Sequence, residues 1–324
     1  MELYPHVFWK VDYEDYKCPV KSIPEWEATG VRRPLMGTYY IIYGSVICTL
    51  YIIVIVAMSN KSILNKCCYK LMYYNCFYDF INVILNSIIS GYLMIDGAVF
   101  CTHPLITLLT GGFGLAFWCG TCCNCIIIGL NRFCTIFGVW KGLFRGNNAY
   151  YWMTLPALYT FFILSFTRPV IFHSQFGAWL LTPLISDFAT ELNYFKNNFM
   201  LFTNTITPIV LAVIYFSIIF KLYCHRGPVF GQQLSKLQYK ICLQSGIVCG
   251  LTALCAFCYS YMQLFPVPEE MVTATQILYQ YCTGLQCFVY LCLNQAIKKR
   301  AAKLIFQLPL PSTNLINPSS TRDH

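Results

Sequence analysis

Asp79 is the only acidic side chain inside any long apolar stretch of this 324-residue chain. Asn75, Asp79, Asn82, Asn86 and Ser90 follow one another at spacings of 4, 3, 4 and 4. On a helix that spacing places all five on one face. A carboxyl group among amides can tie helices together by hydrogen bonds, or it can act as a switch or cation site inside a bundle. A mid-membrane aspartate costs ~2.5–3.5 kcal/mol on insertion scales, so either role turns the face inward. Asn294, at the end of the last apolar stretch, joins this polar set.

Two other groupings resemble chemistry. Cys119, Cys122, Cys123 and Cys125 look like metal ligands. They lie in an apolar run, where cysteine behaves as a small hydrophobe and four thiolates would be costly. They therefore read as packing. The histidines, His6, His103, His173, His225 and His324, are scattered without ligand spacing. No metal, cofactor or catalytic residue is expected, and the chain does not read as an enzyme. Asn131-Arg132-Phe133 closes a run of 26 residues, Leu105 to Leu130, that carries no charge. Arg132 is either a helix-end anchor or a group facing a partner in a cytoplasmic cavity.

The elements that position these residues are membrane spans. The chain is 57% hydrophobic and 11% charged, against about 25% charged in soluble domains. A helix rises ~1.5 Å per residue, so the 105–130 run crosses a core of roughly 30 Å. Within it Gly112, Ala116, Gly120 and Asn124 follow at steps of four, the spacing that lets backbones approach closely in lipid. Seven spans are predicted, at about 37–58, 70–95, 105–133, 150–166, 199–223, 239–265 and 272–293. Residues 134–149 and 167–198 read as connections. The organisation expected is an all-α membrane protein: a polar head (1–36), a seven-transmembrane helix bundle (37–294), a short amphipathic eighth helix (295–308) and a disordered tail (309–324). No signal peptide is read, so the first span would direct insertion.

Fifteen lysines and arginines fall in the odd-numbered connections, at the span ends that border them (Lys70, Arg132, Lys221 and Lys240) and in the tail, and two in the even-numbered connections. The positive-inside rule then puts the head outside and the tail in the cytoplasm. The net charge of +9 is dispersed at helix ends and does not read as a nucleic-acid surface. Of the 19 cysteines, only Cys18 and Cys101 fall on the outer side, so an outer disulfide would join those two. After Asn294, Ile297, Ala301, Leu304, Ile305 and Leu308 recur at helical spacing, with Lys298, Lys299, Arg300 and Lys303 mainly opposite. That pattern suits a helix lying on anionic membrane lipid and ended by Pro309.

The chain resembles the nematode serpentine chemoreceptors of class T, related to class G. The residues that carry the likeness are Trp26, Gly30-Val31-Arg32-Arg33-Pro34 with Gly37, and Cys68-Tyr69-Lys70-Leu71-Met72 with Asp79. Phe100-Cys101 with Pro104, Asn131-Arg132, Leu143-Phe144-Arg145-Gly146, Asn197-Asn198 and Leu293-Asn294 continue it. The resemblance implies a G-protein-coupled receptor for an environmental small molecule, in the plasma membrane of sensory cilia, with a heterotrimeric G protein as partner. Asn131, Arg132 and Phe133 would then form the coupling site. A ligand pocket is expected among Phe113, Phe117, Tyr259, Gln263, Gln276 and Tyr279, although a lipid-facing aromatic is the commoner role for any one of them. Asn131 stands where an acid usually precedes the arginine, and Gln295 follows Asn294 where proline is usual. The third span has no acid to anchor an amine. The alternative reading is a ligand-gated channel or transporter, which a lone buried acid and the lack of an inverted repeat argue against.

Overall fold

The computed structural model describes residues 16, 18, 21–140, 142–146, 148–183, 196–224, 236–265 and 267–306. A short helix, α1 (Ile23–Glu27), precedes α2 (Pro34–Met58) and a single turn, α3 (Lys61–Leu64). The second span is α4 (Cys67–Val83), a π-helical segment (Ile84–Ile89) and α5 (Ser90–Asp96) in one continuous rod. Then come α6 (Pro104–Phe137), α7 (Asn148–Phe166), a two-stranded hairpin of β1 (Ile171–His173) and β2 (Ala178–Leu180), and α8 (Asn198–Cys224). The order closes with α9 (Lys236–Leu264), α10 (Glu269–Leu293) and α11 (Gln295–Phe306). Five of the seven long rods are apolar and long enough to cross a membrane by length and composition alone. The other two, α7 and α10, carry polar starts: Asn148 in α7, and Glu269 and Glu270 in α10.

The third span, α6, is the hub. In its most apolar window 72% of residues are buried, against 22% in α8. It packs on α4, α7, α8 and α9. Gly120 permits the closest approach: a Cβ there would lie 2.3 Å from both Thr160 Oγ1 and the Tyr78 ring. Only glycine lets α4 and α7 close on α6 at that level. The helix continues one turn past the Asn131-Arg132-Phe133 ending expected from sequence. Cys134 to Phe137 stay helical, and Gly138, at φ 70°, provides the left-handed stop.

The segment 167–198, read from sequence as a connection, contains the hairpin in its described stretch 167–183. Phe172 pairs with Trp179 across it, with Gly177 at φ 61° in the turn. Its residues are mostly buried, because it lies on the bundle end. A Cβ on Gly111 would fall 1.6 Å from the Val170 carbonyl oxygen. The hairpin is tied to the spans by Thr273, whose hydroxyl donates to the Phe176 carbonyl at 2.7 Å, and by Trp179 Nε1, which donates to Ser90 Oγ at 2.9 Å. The head is tied on too. Arg33 donates to the Gln175 carbonyl at 2.7 Å, and Val31 N–H to Ser174 Oγ at 3.2 Å. Cys18 and Cys101 form a disulfide, 83 residues apart in sequence. In α1 the Ser22 backbone N–H and hydroxyl both donate to the Glu25 carboxylate, at 2.7 and 2.9 Å. These bonds hold the Glu25 pKa below its ordinary value.

At the opposite end α11 packs on α2 and α10. Its apolar residues do not form the single exposed stripe expected. Ile297 and Ala301 are buried against the bundle, while Leu304, Ile305 and Phe306 stay exposed. The first two positions point at protein because Asn294 turns the chain sharply; the last turn is free to meet lipid. Leu308 and Pro309 lie outside the described residues, as does the tail.

Candidate functional site

The polar face of the second span is wholly buried. Asn75, Asp79, Asn82 and Ser90 are 0% exposed and Asn86 is 7% exposed. Asn75 is its junction. Its amide donates to Asp79 Oδ2 at 2.7 Å and to Gln286 Oε1 at 3.0 Å, and its carbonyl accepts from Asn124 Nδ2 at 2.9 Å. Asn124 also donates to the Leu71 carbonyl at 3.1 Å. Three spans are thereby joined through one side chain. The face is not fully satisfied. Asp79 Oδ1, both side-chain polar atoms of Asn82, Ser87 Oγ, Thr121 Oγ1 and Asn124 Oδ1 have no hydrogen-bond partner among the described residues. One helical repeat toward the disulfide end, the π-helical turn presents the Asn86 carbonyl to the seventh span. That oxygen accepts from Gln280 at 2.8 Å and Gln276 at 3.4 Å.

Asn294 sits in a separate cluster, one that does not touch Asp79. Its amide donates to Tyr69 OH at 2.8 Å and Gln244 Oε1 at 3.4 Å. Its carbonyl accepts the N–H groups of Ala296 and Ile297 at 3.1 and 3.2 Å. The residue thus ends α10 and caps the start of α11.

A cavity of ≈ 400 Å³ opens at the Arg132 end, between the start of α4 and the end of α6. Lys66, Cys68, Asn131, Arg132, Thr135 and Trp140 are among its walls. Arg132 is 7% exposed, and its guanidinium donates to Asn131 Oδ1. No carboxylate lines the cavity among the described residues. Phe133 is on another face, stacked on Phe137 at 4.3 Å, and takes no part in the cavity wall.

A second, much smaller cavity of ≈ 30 Å³ lies toward the disulfide end. Asn86 of the π segment, Gly114, Leu115 and Trp118 of α6, and Met200 of α8 form its sides. Tyr259 of α9 and Tyr279 of α10 complete them, and Val170 and Trp179 bring the hairpin against it. The rings of Trp118, Tyr259 and Tyr279 meet at centroid distances of 5.1–6.3 Å. Tyr279 OH accepts from Asn86 Nδ2 at 3.4 Å, Tyr259 OH donates to Gln276 Oε1 at 3.3 Å, and Trp118 Nε1 donates to Asn204 Oδ1 at 2.8 Å.

The sequence profile of the family described as Serpentine type 7TM GPCR chemoreceptor Srt matches residues 3–313. The chain belongs to that family. It is a multi-pass membrane protein with the fold of a seven-transmembrane G-protein-coupled chemosensory receptor. A Caenorhabditis elegans protein named Serpentine receptor class T-55 is 26% identical over 293 residues, which is 90% of this chain and 80% of that protein. The crystal structure of squid rhodopsin superposes with a TM-score of 0.58 over 94% of this chain and 90% of its own, at 14% identity. At that identity the likeness establishes the seven-helix fold alone.

Of the receptor's expected pocket residues, Tyr259 and Tyr279 line the small cavity, and Gln276 stands behind Tyr259 as its hydrogen-bond partner. Phe113, Phe117 and Gln263 do not line it. Phe117 packs on the Tyr78 ring of α4 at 5.3 Å and stacks with Phe113. A step of one residue on a helix is ~100°, so Trp118, one place on from Phe117, is the ring that faces inward. Gln263 lies a turn beyond Tyr259, near the end of α9. Sequence reading missed Trp118, because α6 is buried nearly all round and gives no amphipathic stripe to orient it. It missed Trp179, and Val170 just before β1, because strands of three residues are too short to show periodicity. The four clustered cysteines are divided among neighbours: Cys119 and Cys122 pack toward the small cavity's cluster, and Cys123 and Cys125 toward the Arg132 half.

Proposed function

We propose that the receptor binds a small molecule at the Trp118–Tyr259–Tyr279 cavity from the extracellular side. It then signals to a heterotrimeric G protein through the Arg132 cavity, acting as a receptor and not as an enzyme. The Arg132 cavity carries this reading. It is wide, it holds Lys66 and Arg132 without a carboxylate among the described residues, and the arginine donates to a neutral amide neighbour. A partner segment bearing acidic groups or a terminal carboxylate would find its charge unopposed there by any resident acid.

Orientation follows from two supports. Lysine and arginine concentrate at the Arg132 end, and a disulfide belongs to the oxidising side, which is where Cys18 and Cys101 would lie. The head 1–36 is then outside, with 37–294 as the bundle. Residues 295–308 would rest on the inner leaflet and 309–324 extend into the cytoplasm. The cell membrane is that of a sensory cilium. Asn75, Asp79, Asn82 and Asn86 act as the switch between the two cavities, with Asn294 as its lower joint. A buried polar face with several orphaned atoms can exchange one hydrogen-bonded arrangement for another when a ligand shifts the balance.

The test is Arg132→Ala in cells expressing the full chain, read by second messengers in a screen of volatile and soluble odorants. Signalling should vanish while surface expression persists. Undiminished ligand-evoked signalling at equal surface expression would remove Arg132, with its neighbours Asn131 and Phe133, from the coupling role.

A further inference from the structure

We propose that the small cavity takes a neutral, short-chain apolar molecule bearing one hydrogen-bond-accepting oxygen, and that Gly114 sets the largest one that fits. The inference rests on the receptor reading above and adds the ligand class and a residue that determines specificity.

The charge argument comes first. Among the described residues, no side chain lining the cavity carries a charge at neutral pH. An ammonium or carboxylate seated there would be buried without a counter-charge, which costs far more than apolar contacts return. The exposed lining is almost entirely carbon. One hydroxyl donor in that lining is left unused among the described residues. Tyr279 OH accepts from Asn86 Nδ2, and its own proton finds no acceptor among the described residues. A carbonyl or ether oxygen on the ligand supplies that acceptor, and ligand carbon fills the space between the rings.

The size argument turns on Gly114. The cavity volume of ≈ 30 Å³ is room for one or two water-sized groups, so entry of a longer chain must displace the rings. Gly114 is buried, yet a Cβ built on it would meet a single atom within 4 Å, Asn86 Nδ2 at 3.5 Å. The glycine is therefore not there for close helix packing, unlike Gly111 and Gly120 on the same helix. What it leaves open is the cavity itself. A methyl group added there occupies ligand space and leaves the fold undisturbed.

The experiment uses the full chain in lipid nanodiscs, with thermal unfolding as the binding readout. Probes are 2-alkanones of four to nine carbons, the n-alkanes of equal length, and the matching alkylammonium and carboxylate ions. Some ketones should raise the unfolding temperature up to a limiting chain length, with the ions at least tenfold weaker. Gly114→Ala should lower the limiting length by one or two carbons. Gly250→Ala, whose Cβ meets nothing within 4 Å on an exposed face of α9, should leave it unchanged. Tyr279→Phe should erase the preference for ketone over alkane while keeping the length limit. Ions binding as tightly as ketones, no ketone binding at all, or an unchanged limit in Gly114→Ala would each overturn the proposal. Ketone binding with the expected limit but no second-messenger response would sink the signalling reading and leave this one standing. Signalling to ketones that ignores Gly114→Ala would do the reverse.

Discussion

Replacing Asn75 by alanine tests whether the polar face holds the bundle together. The substitution removes three hydrogen bonds at once: to Asp79, to Gln286 and from Asn124. Interhelical hydrogen bonds in membrane proteins average ~0.6 kcal/mol and reach ~1.7 kcal/mol. The two that cross between helices, to Gln286 and from Asn124, come to about 1 kcal/mol at the average and about 3 kcal/mol at the upper end, while the bond to Asp79 lies within α4. The upper part of that range is favoured here, because Asp79 Oδ1 and Asn124 Oδ1 are already without partners among the described residues and gain no replacement. The assay is unfolding of the purified chain by titrated detergent, with Ser45→Ala as reference. Ser45 Oγ bonds its own helix, donating to the Ile41 carbonyl at 2.8 Å, on an exposed face. Asn75→Ala should cost at least ~1.5 kcal/mol more than Ser45→Ala. Equal costs would mean that the three bonds are readily exchanged for others, and the claim that this face joins three spans would fail.

Two further outcomes follow from the packing. The Cys18–Cys101 bridge closes a loop of 83 residues, for which the chain-entropy relation gives about 4.5 kcal/mol. Cys18→Ser, Cys101→Ser and the double variant should lose the same amount of stability, and additive losses would show that the two do not act as a pair. Gly120→Ala should destabilise by ~1–3 kcal/mol, since its methyl meets Thr160 and the Tyr78 ring at 2.3 Å. Expression and unfolding equal to the parent chain would contradict the close approach of α4, α6 and α7.

The seven rods were legible because each is a long apolar run with few charges, a signal that depends on composition and not on detail. The inward polar face was legible for a related reason: five polar side chains at helical spacing in a hydrophobic run must turn away from lipid. Asn294 read as part of that set, yet it bonds Tyr69 and Gln244, a partnership set by where three rods meet. Side-chain direction on α6 was not legible. Its residues are apolar or small on every side, so nothing in the order Phe117-Trp118 says which ring faces the interior. The hairpin escaped notice because its burial comes from the bundle end beneath it. Cys18 and Cys101 could be matched by counting, because the other cysteines fall in or near spans or at the opposite end.

The π-helical turn at Ile84–Ile89 gives the second span one residue more than an α-helical ladder of the same length would hold. One residue is ~100° of rotation. The upper portion, Ser90–Asp96, is therefore out of phase with Cys67–Val83 by more than a quarter turn. That offset lets Ser90 face Trp179 of the hairpin while Asp79 faces the middle of the bundle. It also spares the Asn86 carbonyl for Gln276 and Gln280. The rod behaves as two screws of different pitch setting joined at a wide thread. Migration of that thread by a single residue would turn one screw without turning the other, a coupling between the disulfide end and the core that needs no bend in the rod.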